Sequence, residues 1–70
     1  MPVSAMELGA AVAKRRRDLR LGQQELAELA QVSPRFIGAL EHGKSTVRLD
    51  KIQAVLDVLG LEIDVRVRQQ

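Results

Sequence analysis

The chain has 70 residues, a net charge of +2 and a sequence pI of about 9.7, a length that allows one domain with a marginal core. With no cysteine and a single histidine, disulfides, thiolate sites and a self-contained metal centre are excluded, no cofactor is implied, and a partner subunit is the stabilising device left open. No apolar run approaches the ~20 residues of a membrane helix and no signal-peptide core opens the chain, so a soluble, cytoplasmic protein is expected.

Ser4 to Glu7 (SAME) has the spacing of a capping box, which places the start of a first helix there. Leu8, Ala11, Val12 and Leu19 follow at helical period, with the basic run Lys14 to Arg17 between them. A solvated face is the plain reading of such a run, and a working role for its cations is the equal alternative. Gly22 breaks the pattern. A second helix, QQELAELA, carries Leu26, Ala27, Leu29 and Ala30 on one side. After a tight connection, Ser33 caps a third helix and Pro34 suits its first position. Gly43 is its natural left-handed stop. A basic loop, Lys44 to Arg48, leads to RLDKIQAVLDVLG, whose stripe is Leu49, Ile52, Val55, Leu56 and Leu59.

The third helix contains an oddity. Gly38 sits at its centre, where glycine costs about 1 kcal/mol relative to alanine. At about 100° per residue from Pro34, the residues Phe36, Leu40 and Ile37 fall at roughly 200°, 240° and 300°. Gly38, His42, Arg35 and Ala39 fall at roughly 40°, 80°, 100° and 140°. An ordinary solvent face would carry Glu and Lys, whereas this one is stripped of bulk. Two short helices joined by three residues have the spacing of a helix-turn-helix, whose second helix enters the DNA major groove. A bare face suits a groove about 12 Å wide, and Arg35, near the helix N-terminus, is placed to reach a guanine edge.

The tail changes period. LEIDVRVR alternates Leu61, Ile63, Val65 and Val67 against Glu62, Asp64, Arg66 and Arg68, the pattern of a half-buried strand. A lone strand needs a partner for its amides, and no other segment alternates for long enough. A two-fold homodimer, with 61–67 pairing antiparallel to its copy and covering Val55 and Val58, is the economical solution.

QQELAELAQVSPRFIGALEHGK resembles the helix-turn-helix of the lambda-repressor-like (XRE, Cro/C1-type) regulators. The matching positions are Gln23, Leu26–Ala27, Val32–Ser33, Ile37, Glu41 and Gly43, and the likeness covers residues 8–60. It implies a mostly α fold, a compact bundle of four or five helices, here with a single C-terminal strand, binding double-stranded DNA as a homodimer on an operator with two half-sites. It divides the chain into a DNA-binding domain at 4–60, with the second helix at about 23–30 and the recognition helix at about 34–42, a dimerisation strand at 61–67 and a tail at 68–70. By the same resemblance Gln23 bonds a phosphate and braces the start of the recognition helix. Ser33, Pro34, Arg35, Gly38 and Ala39 line the groove. His42 and Lys44 meet phosphates. Arg16 pairs with Glu41, a structural contact whose rupture is expensive if buried. Apart from the resemblance, a dimer on DNA is expected to add phosphate contacts from Arg48 and Arg17. The chain departs from the usual pattern at Pro34, Gly38 and Ala39, where many relatives carry Gln or Ser, and at Gly22, which replaces a Ser or Thr cap.

The segment RFIGALEHGKSTVRLDKIQAVLDVLGLEI is similar to HipB-type antitoxins. These are small repressors of their own operons that also hold a HipA-like serine/threonine kinase. A phage or restriction-modification regulator, and a protein-interaction module on the same fold, are the alternatives. No nucleophile–base pair or phosphate-binding glycine loop is present, so an enzyme is not expected.

Overall fold

A computed structural model describes residues 4–44 and 46–64. Helix α1 (Ala5–Asp18) starts at Ser4, whose Oγ accepts the Glu7 N–H at 3.1 Å and donates to the Glu7 carboxylate at 3.4 Å. The chain turns through Arg20, a non-glycine residue at φ +59°. Helix α2 (Gln23–Ala30) begins at Gly22, which has no side chain to cap it. Glu25 supplies the reciprocal half of a capping box by accepting the Gly22 N–H at 2.9 Å. This offsets part of the missing cap.

Gln31, at φ +59°, ends α2, and helix α3 (Pro34–Glu41) follows at once. Ser33 Oγ accepts the Phe36 N–H at 3.0 Å, and Pro34 occupies the first turn without a wasted donor. Gly43, at φ +81°, closes α3. Helix α4 (Leu49–Leu59) ends at Gly60, φ +70°.

Each helix turns one stripe inward. Val12 of α1, Leu26 of α2, Ile37 and Leu40 of α3, and Val55, Leu56 and Leu59 of α4 are at most 1% exposed. These side chains form one continuous core, the main favourable term for a chain of this size. Phe36 lies only half-buried against it. Leu29 and Leu49 depart from their expected places, at 59% and 68% exposure. The core side of α2 is centred between Leu26, Ala27 and Ala30, and Leu29 points roughly 100° away from that centre. Leu49 is the first residue of α4, with no preceding turn of its own helix beside it.

The expected C-terminal strand is corrected in part. No strand is present among the described residues, and residues 61–64 carry no regular structure. The Leu61 N–H donates to the Leu56 carbonyl at 2.9 Å, so the first residue of the alternating run finishes α4. Its side chain packs on the core of its own chain. Val55 is 0% exposed in the single chain, which removes it from the expected interface. Val58 is half-buried against the same core and Ile63 is 43% exposed. Val65, Val67 and the 68–70 tail lie outside the described residues.

Candidate nucleic-acid interface

The two ends of α3 are fixed before its outer face is considered. At the N-terminal end stand the Ser33 cap and Pro34. At the C-terminal end, Arg16 Nε donates to Glu41 Oε2 at 2.7 Å and its second nitrogen to Oε1 at 3.1 Å. A third Arg16 nitrogen donates to the Leu21 carbonyl at 2.9 Å. The two side chains are 13% and 6% exposed. Gln23 Nε2 completes the cluster, donating to Glu41 Oε1 at 3.0 Å. Gln23 therefore braces the end of α3, where its start was expected. Burial pushes the Glu41 carboxyl up, but the hydrogen bonds from Arg16 and Gln23 and the charges of Arg16 and Arg17 together hold it below the ordinary carboxylate range. Arg16 is correspondingly raised by its bond to Glu41, against the opposing effect of burial.

The basic run of α1 is thus divided. Arg15 Nε donates to the Leu59 carbonyl at 2.9 Å, satisfying an orphan acceptor at the end of α4. Arg16 is the internal clamp, Lys14 pairs with Asp18 at 2.8 Å, and Arg17 is exposed. Two members of what looked like a solvated run tie helices together.

Held in this way, α3 presents a low face. Pro34, Arg35 and His42 are exposed, while Gly38 and Ala39 are half-buried. A Cβ built on Gly38 would meet nothing within 4 Å. The glycine is therefore not there to admit another helix. The His42 Nδ1 lies 2.7 Å from the Gly38 carbonyl oxygen, which can only accept, so that ring nitrogen carries the proton.

Beside this face runs a shallow groove between α3 and the segment leading into α4. Ser33, Arg35, Phe36, Ala39, Lys44, Thr46, Val47, Arg48 and Lys51 line it. The lining is cationic at its rim and apolar on its floor, with no carboxylate in it. Arg48 is not an open cation. Its Nε and a terminal nitrogen donate to the two oxygens of Asp50 at 3.1 and 2.7 Å. The Asp50 carboxyl, raised by desolvation, is brought below the ordinary range by the bond and charge of Arg48 and by backbone N–H donors. Lys51 lies with Nζ 5.8 Å from the centroid of the Phe36 ring.

The groove brings together Ser33, Arg35, Ala39, Lys44 and Arg48 from the sequence-based set. Gln23 is turned to Glu41, and Leu61 and Ile63 follow the opposite end of α4 from Arg48. Thr46, Val47 and Lys51 were missed. Arg48 and Lys51 are three apart at the start of a helix, a spacing that sets side chains on one face, and this was the available signal for Lys51. Among the described residues no cluster of His, Asp and Glu could hold a metal ion, and no helix is long and apolar enough to cross a membrane.

Comparison with known proteins agrees with this architecture. A helix-turn-helix family model matches residues 12–65. The uncharacterized HTH-type transcriptional regulator y4mF of Sinorhizobium fredii (strain NBRC 101917 / NGR234) is 44% identical over 59 residues, covering 84% of this chain and 78% of that protein. A crystal structure of the clp gene regulator ClgR from Corynebacterium glutamicum superposes with a TM-score of 0.74 at 35% identity, covering 86% of this chain and 64% of that one. A second ClgR structure gives 0.73 at 34% identity, covering 89% and 80%.

Proposed function

The chain belongs to the XRE-type helix-turn-helix family of DNA-binding transcriptional regulators, and from that membership we propose that it represses transcription by inserting α3 into the major groove of an operator. The observation that carries this reading is the outer face of α3. It has one long cation, Arg35, beside a glycine whose side-chain position is open space, and a groove rimmed by Lys44, Arg48 and Lys51 runs next to it. Arg35 reads a base edge, most simply the two acceptors of a guanine, while open cations of the rim meet phosphates and fix the register. With few long readers on α3, DNA shape contributes to specificity.

The operator carries two half-sites about 34–36 Å apart, bound by a homodimer. The alternating composition of 61–67 and the 43% exposure of Ile63 support a dimer contact in this segment. Sedimentation of the full chain at several concentrations tests it, and a monomer throughout would remove the two-half-site operator. The similarity to HipB-type antitoxins extends the proposal to an autoregulating antitoxin that holds a HipA-like kinase, checked by co-purification with the product of a neighbouring kinase-like reading frame.

The deciding experiment is titration of the chain's own upstream DNA across a salt series. A specific site with a steep salt slope is expected. Arg35→Ala lowers operator affinity by about 1–3 kcal/mol and relaxes sequence preference at one base pair, with melting unchanged. Absence of DNA binding at low salt would sink the repressor function and leave a protein-interaction module.

A further inference from the structure

We infer that Lys51, and not Arg48, is the cation that meets a DNA phosphate at the α4 end of the groove, and that Asp50 withholds Arg48 from this role. The inference rests on the DNA-binding function proposed above and assigns the groove's working charges.

Arg48 and Lys51 both line the groove, one turn apart, but their surroundings differ. Arg48 gives two hydrogen bonds to Asp50 and forms a closed neutral pair. Asp50 is anchored independently, because its Oδ1 also accepts the Lys51 N–H at 3.0 Å. It stands in the first turn of α4, where negative charge is favoured. Arg48 therefore comes to Asp50. Each phosphate contact releases counterions only if it brings an unneutralised cation. A pair 71% and 64% exposed is held weakly, yet breaking it restores a bare carboxylate beside the phosphate, so the exchange returns little.

Lys51 has no carboxylate partner among the described residues. Its ammonium lies over the ring of the half-buried Phe36. That placement leaves Nζ donors free while restricting where they can go, which reduces the ordering required on binding. Phe36 is set by α3 itself. A phosphate met by Lys51 is thereby placed relative to Arg35, on the same helix as Phe36, and the cation acts in register with the base reader.

The test is operator binding by the full chain across a salt series with four variants. Lys51→Met keeps an apolar stem against Phe36 and removes the charge. It should lower the slope of log K against log salt by about one and weaken binding roughly fivefold at 0.15 M salt. Arg48→Ala removes no phosphate contact and only uncovers the Asp50 carboxylate, so it should lower the slope by less than Lys51→Met does. Asp50→Asn retains an oxygen for the Lys51 N–H and should steepen the slope by about one as Arg48 is released. In the Asp50→Asn/Arg48→Ala double variant the gain should fall by more than the effect of Arg48→Ala alone, a non-additivity that separates release of Arg48 from simple loss of a negative charge. A fall in slope for Arg48→Ala with none for Lys51→Met overturns the assignment. A wild-type chain with no salt-dependent binding would sink the proposed function itself, a different and earlier failure.

Discussion

The two sides of α3 are built to opposite specifications. Toward α1, the helix is locked. A Cβ on Gly9 of α1 would run into the Leu40 carbonyl oxygen and come within 2.9 Å of the Glu41 carbonyl oxygen, so the helices approach backbone to backbone. Next to that contact Arg16 and Gln23 grip the Glu41 carboxylate. Away from the core, a Cβ at Gly38 of the same helix would meet nothing within 4 Å. Two glycines in helix interiors thus have contrary causes. One is required by a neighbour already present, and the other faces open space, which the proposed function reads as clearance for the groove. A recognition element needs both, because a helix offered to a groove without its own support would give up binding energy to ordering itself.

The largest way to break the contrast is at the locked side. Arg16→Ala leaves Glu41 largely buried with only Gln23 as partner, and should cost about 3 kcal/mol in urea unfolding. The pH dependence carries the sign of the pair. The Glu41 carboxyl is depressed in the folded chain, so its contribution is present above the ordinary carboxylate value of about 4 and is lost as pH falls through the folded value. In Arg16→Ala that acid loss should shrink, because burial then favours the protonated form. An unchanged acid limb would place the pH sensitivity elsewhere.

A smaller effect is expected from Gly9→Ala, about 2 kcal/mol of destabilisation, since the added methyl meets backbone that cannot turn away. Smallest, and opposite in sign, is Gly38→Ala. It adds a methyl to open space within a helix and should stabilise by roughly 0.5–1 kcal/mol, raising the melting temperature by about 4 °C. The same change should weaken operator binding. Full operator affinity in Gly38→Ala would show that the open space has no use as clearance and would sharpen the comparison to Arg35 alone.

Much of the fold was legible because it depends on local chemistry. Ser4 with Glu7, Ser33 with Pro34, and Gly43 are boundary signals that act through nearest backbone groups. The stripes through Leu26, Ile37, Leu40, Val55 and Leu56 follow helical period. Leu29 misled because a small apolar residue such as Ala30 defined the core side as strongly as a leucine did. Gly9 drew no notice, since a close approach of α1 to the end of α3 leaves no local trace. The tail misled at Leu61, where the N–H is consumed by the close of α4. The site divided in the same manner. Arg35, Gly38 and Ala39 were readable from the angular order of one helix. Lys51 was not, because Phe36 of α3 comes beside it only in the fold, and the pairing of Arg48 with Asp50 is likewise a matter of geometry.

By itself the sequence determined where helices begin and end, which sides are apolar, and that the outer face of the third helix is bare. These follow from capping, period and side-chain size, all of which act within a few residues. Only the tertiary structure decided which cations are engaged and which are open. Arg15, Arg16, Arg48 and Lys51 carry the same formal charge in the sequence. In the folded chain one is tied to the Leu59 carbonyl, one to Glu41, one to Asp50, and one lies against an aromatic ring. A charge acquires its function from what stands within a few ångströms of it, and for most of these residues that neighbour is distant along the chain.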